Sequence, residues 1–544
     1  MKLPQFSKTS KLKISPGSHS VTTSNGRQHT SQSVVNRWLA TLVSMATSDD
    51  CPQNGQEIVA QTSTCKTYLS LIEAQPFLHR LFLIDFTVEA AHTVLASPKV
   101  SGDSLLMNLV EKVRQAGVVG AGGGGFPAHV KLAARADTLI ANGAECEPLL
   151  HKDAVLMETE AAALVRGMQL AAEAVGAKDI VIGIKGKKKH AVEAATEACK
   201  GTNVRVHLLG DYYPAGDEYD LVYEVTKRLI PPGGIPIQVG AVVNNIETFI
   251  NIAHAADGKP VTHKMLTIAG AVNSPVTLRV PIGTTYRDVL GFAGGLTTND
   301  PVLTIGGLMM GQTTDDLDSP ITKTSTGVVI LPRDHHVMER KLKPAKVQAH
   351  IGKSACDQCR YCTEYCPRFL LGYAVEPHQV MRSLAFTETG ADYWNQWAAM
   401  CCSCGLCTLY ACPEELFPKE ACDDSKAEMR RKSLKWTGPT PDIKPHGMRD
   451  GRHVPIKTLT RKLHVEKYDL PAPLYSGKIE PGRLVIPLKQ SAGTPCLSKV
   501  KAGDRVSAGQ IIGETAPNQM GAILHAPLAG KISGVTEQQI ILER

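Results

Sequence analysis

The clearest helical period along the chain begins at Met107, where Met107, Leu109, Val110 and Val113 alternate with Asn108, Glu111, Lys112 and Arg114 at the spacing of an amphipathic helix. Upstream, residues 1–106 open on a Ser-, Thr-, Lys- and Gln-rich stretch without sustained period, followed by apolar fragments such as Leu81-Phe82-Leu83-Ile84. That stretch is read as an N-terminal extension, disordered or arising from a misassigned start. Over 107–255, short β-rich runs at Thr138–Ala141, Ile180–Ile184 and Val204–Leu209 are interleaved with glycine turns, and a helical pattern, Ala161–Val175, separates the first two. Strands separated by helices of that length predict a parallel, Rossmann-like sheet of βαβ units.

The order changes over 256–335. Strands are predicted at Leu266–Gly270, Val276–Val280, Val302–Ile305 and Val328–Leu331, with a short helix at Tyr286–Phe292, a ββαββ order that suggests a β-grasp-like module. Residues 345–422 carry helical patterning around two cysteine runs, 423–480 read as a basic, proline-containing linker, and 481–544 as short strands with regular glycine turns. The fold class is therefore α/β and multi-domain.

Length supports this division, since 544 residues at about 150 per domain make roughly three to four domains. Hydrophobic residues at 43% and charged residues at 20% are ordinary globular composition. The most apolar early stretch, Tyr68–Ala96, is broken by Glu73, Arg80, Asp85 and Glu89, so no segment reads as a membrane span and no direct membrane insertion is expected. The N-terminus shows no compact apolar region followed by a small-residue cleavage site, which points to the cytoplasm. The net charge of +7 is mild and local: Lys419–Lys467 holds 13 Lys and Arg against 7 Asp and Glu. A solvated linker explains that surplus better than a docking site for an acidic redox partner, and no nucleic-acid partner is expected. The 18 histidines show no paired metal-ligand spacing, and His335-His336 reads as a surface loop.

Eight of the 15 cysteines form two runs, Cys356-x2-Cys359-x2-Cys362-x3-Cys366-Pro367 and Cys401-x2-Cys404-x2-Cys407-x4-Cys412-Pro413. Three thiolates at this spacing wrap three corners of an iron–sulfur cube, and the fourth cysteine of each run typically ligates the other cluster. Two [4Fe–4S] clusters follow, one on Cys356, Cys359, Cys362 and Cys412, the other on Cys401, Cys404, Cys407 and Cys366. Zinc modules instead separate paired Cys-x2-Cys units by a longer loop. Cys402 is an alternative neighbour to Cys401, and Cys422 reads as structural.

A second signal is Gly120-Ala121-Gly122-Gly123-Gly124-Gly125-Phe126-Pro127 with Lys131 downstream. So many glycines let backbone N–H groups approach a phosphate, and a helix start just beyond adds its positive end. A glycine-rich turn is as often merely structural, but Asn142-Gly143-Ala144-Glu145-Cys146-Glu147-Pro148 and Val243-Asn244-Asn245-Ile246-Glu247-Thr248 add carboxamides and carboxylates at strand ends, which suit a flavin ring and ribityl chain.

Together the glycine loop with Phe126-Pro127 and Lys131, the two Asn- and Glu-containing segments, the β-grasp module and the cysteine runs resemble the flavoprotein subunit of respiratory NADH dehydrogenase over residues 107–544. Ala121 and Leu132 stand where that family places Arg and Trp, and two cluster motifs replace one. The chain is accordingly more similar to Rnf-type C subunits and to the cobalamin reductases of propanediol-utilising microcompartments. The resemblance implies an FMN-binding domain, an SLBB domain, a dicluster ferredoxin-like domain and a barrel-sandwich hybrid. It also implies FMN contacts at Gly120, Gly122, Gly123, Gly125, Lys131, Asn142, Glu145, Asn244 and Asn245, with Gly216-Asp217-Glu218 a weaker match near flavin and nicotinamide. Val500–Gln510 and His525–Ile532 look like the halves of a lipoyl-type barrel whose tip, Pro517-Asn518-Gln519, lacks a modifiable lysine. Its C-terminal position favours the cobalamin reductases. That family implies NADH as donor, a corrinoid as substrate, and reactivation of a B12-dependent diol dehydratase inside a bacterial microcompartment. A cobalamin adenosyltransferase and shell proteins are the implied partners. The alternative is an Rnf-type subunit passing electrons between NADH and ferredoxin. A non-catalytic scaffold with structural clusters is a further class.

Overall fold

The structure is a computed structural model that describes residues 20–22, 28–30, 58–62, 65–69, 103–385, 396–438 and 442–544. Its contacts divide the chain into Met1–Pro98 and Lys99–Arg544. In the first unit Ser20–Thr22 pairs antiparallel with Gln28–Thr30, and Ile58–Thr62 with Cys65–Leu69. Most of the stretch read as an extension lies outside the described residues.

In the second unit, α1 (Asp103–Gln115) carries the period seen from Met107, and the glycine loop leads to α2 (Ala128–Leu132). Then follow β1 (Thr138–Gly143), α3 (Lys152–Val175), β2 (Asp179–Lys185), α4 (Lys189–Cys199), β3 (Val204–Leu209), α5 (Glu218–Thr226), β4 (Ala241–Asn245) and α6 (Ile246–Ala256). The sheet order is β3-β2-β1-β4 with every pair parallel. Alternate residues of β1 serve two cores, as a pleated strand covered on both faces requires. Leu139 and Ala141 pack with α3, α4 and α6, while Ile140 packs with α5 and the cysteine-rich region.

The next module contains β5 (His263–Gly270), β6 (Val276–Pro281), α7 (Tyr286–Leu290), β7 (Pro301–Ile305), β8 (Gln312–Thr314) and β9 (Gly327–Pro332). Its order is β6-β5-β9-β7-β8, with β5 and β9 parallel at the centre. This is the β-grasp-like arrangement with the short β8 added beside β7.

Helices α8 (His336–Lys341), α9 (Ala345–Ala355), α10 (Tyr361–Glu364), α11 (Pro367–Leu370), α12 (Pro377–Ser383) and α13 (Pro418–Arg431) frame the cysteine runs; Cys362 lies in α10, and Cys407 opens a π-helical turn, Cys407–Ala411, between α12 and α13. His335, read as a loop residue, caps α8 by accepting from Val337 N at 3.2 Å. The presumed linker is largely folded: α13 extends to Arg431, and Val454–Pro455 pairs with Tyr212–Tyr213. Buried Arg449 ties it to Asp220 at 2.6 Å and Glu224 at 2.5 Å on α5. The last residues form a small barrel of a four-stranded and a three-stranded sheet, closed over Leu484, Ile486, Ile512, Ile532 and Leu542. No helix among the described residues is long and apolar enough to cross a membrane.

Candidate functional site

In a parallel sheet, ligands bind beyond the carboxyl ends of the strands where the winding reverses. Here that point lies between β1 and β4, whose last residues, Asn142-Gly143 and Asn244-Asn245, are therefore brought together. The glycine loop closes over the same edge. Gly120 N donates to Phe126 O at 2.8 Å, Gly125 N to Gly120 O at 3.1 Å, and Ala121 N to Thr248 Oγ1 at 3.0 Å. A Cβ at Gly122 would come within 3.1 Å of Asn245 Cβ, whereas at Gly123 or Gly124 it would meet open space. Lys131 Nζ donates to Val243 O at 2.7 Å and lies 3.7 Å from Glu218. The helix beyond the loop is only five residues long and contributes little dipole, so a phosphate here depends on the loop's own backbone.

The side chains divide by role. Asn142 Nδ2 donates to Gly216 O at 2.9 Å, bringing the Gly216-Asp217-Glu218 segment to the strand end. Asn245 caps α6, accepting from Glu247 N at 3.0 Å and donating to Asp153 at 2.9 Å. Glu145 accepts from Asp153 N at 2.9 Å at the start of α3, and burial beside Asp153 pushes its carboxyl up to about 7. Asn244 is 5% exposed, and its Nδ2 has no hydrogen-bond partner among the described residues. A buried donor without an acceptor, beside a loop with open space above its glycines, fits a ligand rich in acceptors such as FMN.

Beneath the loop lies a charge network that sequence reasoning missed. Lys152 and Lys264 are 1% and 2% exposed, and both donate to Glu247, at 3.0 and 2.5 Å. Lys264 Nζ also donates to Ala121 O at 2.8 Å, fixing the loop from below. Its signal was a lysine inside an otherwise apolar strand.

The cysteines form two groups. Burial pushes the Cys362 thiol up to about 12, and the next contributors are Cys412, Cys356 and Cys359. Burial likewise raises Cys366, with Cys402 and Cys401 beside it, and Cys407, with Cys401, Cys362 and Cys366 beside it. The thiol of Cys404 is raised first by its hydrogen bond with Cys402 and then by burial. Cys401 is lowered to about 7 by its hydrogen bond with Cys422. Cys402 thus stays close enough to the second group to remain an alternative to Cys401. Among the described residues, no three Cys, His, Asp or Glu groups are placed to hold a single metal ion. Soft thiols gathered in this number, most of them buried, fit iron–sulfur ligation, which would keep them deprotonated.

The second group abuts the sheet edge. Cys366 and Cys401 pack with Ile140, Ala144 and Cys146, and Tyr213 Oη donates to Cys404 O at 2.6 Å. Cys146 Sγ accepts from Gly216 N at 2.9 Å. Arg368, two residues past Cys366, pairs with Asp217 at 2.8 Å and lies 3.5 Å over the Tyr219 ring. Glu147 accepts from Met309 N and Met310 N, both at 2.8 Å, tying the same segment to the β-grasp module. Gly307 makes that contact possible: φ is +116° and a Cβ would sit 2.4 Å from the Glu147 carboxylate.

Residues 113–254 match the family model of the Nuo51 FMN-binding domain, 265–313 the SLBB domain, 355–417 the 4Fe–4S dicluster domain and 448–543 the RnfC barrel sandwich hybrid domain. The last match begins within the presumed linker. The chain is 39% identical over 436 residues to cobalamin reductase PduS of Salmonella typhimurium, covering 80% of this chain and 96% of that protein. The same identity and coverage hold for cobalamin reductase PduS of Citrobacter freundii. A component of the proton-translocating ferredoxin:NAD(+) oxidoreductase complex of Clostridium ljungdahlii is 38% identical over 265 residues, 47% of this chain and 55% of that protein.

Proposed function

Because the chain belongs to the cobalamin reductase family, we propose that it takes electron pairs from NADH and delivers single electrons to the cobalt of a corrinoid. The observation that carries this reading is the contact between the strand-end site and the second cysteine group, through Ile140, Ala144 and Cys146 on one side and Cys366 and Cys401 on the other. A bound flavin accepts hydride and releases electrons singly, which suits a position between NADH and iron–sulfur clusters.

This chain's residues prepare that position. The N–H groups of Gly122 and Gly123 offer donors to a phosphate while Gly125 N, spent on Gly120 O, holds the loop in shape; Asn244 Nδ2 offers a donor to the ring or ribityl chain, and Asn142 holds the Gly216 turn against them. Asn245 and Glu145 act one step back, capping α6 and α3 so that the strand ends stay in place. Gly120 closes the loop and Lys131 supplies a cation beside it. Cys356, Cys359, Cys362 and Cys412 hold one cluster; Cys366, Cys401, Cys404 and Cys407 hold the other.

Anaerobically purified protein is expected to contain noncovalent FMN and roughly eight iron atoms, and to reduce cob(III)alamin with NADH. Stoichiometric zinc, or dye reduction without cobalamin reduction, would overturn the reading. The alternative, a subunit serving a membrane-bound ferredoxin:NAD(+) oxidoreductase, is disfavoured because the match to that relative spans 55% of its length against 96% for the cobalamin reductase. Co-purification with membrane subunits would reverse the choice. In the same reading, a cobalamin adenosyltransferase receives the reduced corrinoid within a bacterial microcompartment, and shell proteins are further partners; pull-down from purified microcompartments tests both.

A further inference from the structure

Among the eight motif cysteines, Cys359 alone is exposed. Helix α9 runs directly into its loop. Helical period places Lys346, Val347, His350, Lys353 and Ser354 on one face of α9, all exposed, while Ile351 and Gly352 turn toward Val380 and Met381. From Leu342 to Tyr361 the chain holds four Lys and Arg, at 343, 346, 353 and 360, against the single acid Asp357. Leu342, Val347 and Tyr361 are exposed within the same segment. No ion pair joins Lys346, Lys353 or Arg360 to a carboxylate among the described residues.

We infer that this face, formed by α9 and the Cys359 loop, docks an acidic protein that carries a one-electron acceptor. The inference rests on the reading of Cys356, Cys359, Cys362 and Cys412 as cluster ligands. An exposed helix face that lines neither described cavity suits a protein partner better than a free small molecule, which needs a concave pocket. Exposed apolar side chains among cations suit the small, electrostatically steered interfaces of redox encounters. Each encounter moves one electron: the reduced centre at this quartet loses it, the carrier gains it, and no atom is transferred. NADH replenishes the relay two electrons at a time, leaving NAD+ and a proton.

The test uses the full-length holoprotein with an acidic plant-type [2Fe–2S] ferredoxin as probe. Carbodiimide treatment is expected to cross-link Lys346 and Lys353 to ferredoxin carboxylates, read by mass spectrometry. The double variant Lys346→Glu/Lys353→Glu is expected to slow electron transfer from pre-reduced ferredoxin into the oxidised holoprotein, the downhill direction across the same face, about tenfold at low ionic strength and to flatten its salt dependence, while NADH still bleaches the bound flavin at the original rate. Cross-links confined to another surface, or a variant as fast as the original chain, would overturn the docking face. Failure of NADH to bleach the flavin in the unsubstituted protein strikes at the relay itself, and the cross-link map then still decides the face.

Discussion

An amide nitrogen buried without an acceptor costs about 1–3 kcal/mol, and Asn244 Nδ2 is held in that condition at the end of β4. Leucine keeps the volume and removes the cost. Asn244→Leu is therefore expected to leave the thermal midpoint of flavin-free protein equal or higher, while FMN affinity falls about tenfold, the loss of one hydrogen bond of roughly 1.4 kcal/mol. Parallel melts and flavin-fluorescence titrations check both; a lower midpoint with full affinity would mean that the amide is used within the protein. The sequence shows two adjacent carboxamides after an apolar run but not their division of labour. That division arises because Asn245, the last residue of β4, is also the N-cap of α6, so its side chain is spent on the helix start, while Asn244 lies one residue further back in the strand. Lys152 and Lys264 were harder to see. Lysine is almost never fully buried unless paired, and their partner Glu247 is distant in sequence from Lys152.

At the scale of elements, β1, β2 and β3 were legible to within a few residues, because burial leaves nearly continuous apolar runs in β1 and β2, whereas β4 was given no range and the short strands Tyr212–Tyr213 and Gln312–Thr314 carry too few residues to show a pattern. Helix α3 was read only from Ala161. Glu160 interrupts it with φ −126°, and the first half is anchored by charged residues, Lys152 and Asp153, that do not look like a core. The segment read as a linker is folded for a related reason: the partners of Arg449 and Arg452 are Asp220, Glu224 and Glu364, invisible from local composition. The same logic makes a prediction for α11. Arg368 and Asp217 are 10% and 7% exposed, and removing one member of a buried pair strands the other's charge, at about 3–5 kcal/mol. Arg368→Met should lower stability by that order, and adding Asp217→Asn should restore part of it, giving a positive coupling in a double-mutant cycle. Strict additivity of the two losses would show that the pair does not join the cysteine-rich region to α5.

At the scale of the second unit, three modules meet at one buried lysine. Lys323, in the loop before β9, donates to Gly117 O at 2.7 Å beside the glycine loop and to Ile523 O at 2.8 Å in the barrel. Its own backbone N donates to the Gln490 side chain at 3.0 Å, and Ala492 N donates to Gly125 O at 2.9 Å. The barrel without a modifiable lysine at its tip therefore braces the glycine loop. Burial lowers Lys323 to about 7 from an ordinary value of 10.5, and a neutral amine still has the two protons that the two carbonyls require. The sign of the pH effect follows. Between these values the unfolded chain binds a proton that the folded chain does not, so stability rises with pH there. The contribution is complete above 10.5 and is withdrawn as pH falls through 7. Lys323→Met removes the titration along with both bonds. The stability of the original chain relative to this variant is expected to increase from pH 7.5 toward 9.5 by up to about 1.4 kcal/mol per pH unit, measured as paired thermal melts across that range. A difference that stays constant with pH would mean that the lysine keeps its charge when folded. A flavin affinity lowered in Lys323→Met at pH 9, where the amine is neutral in the folded chain, would show the brace acting on the glycine loop rather than on stability alone.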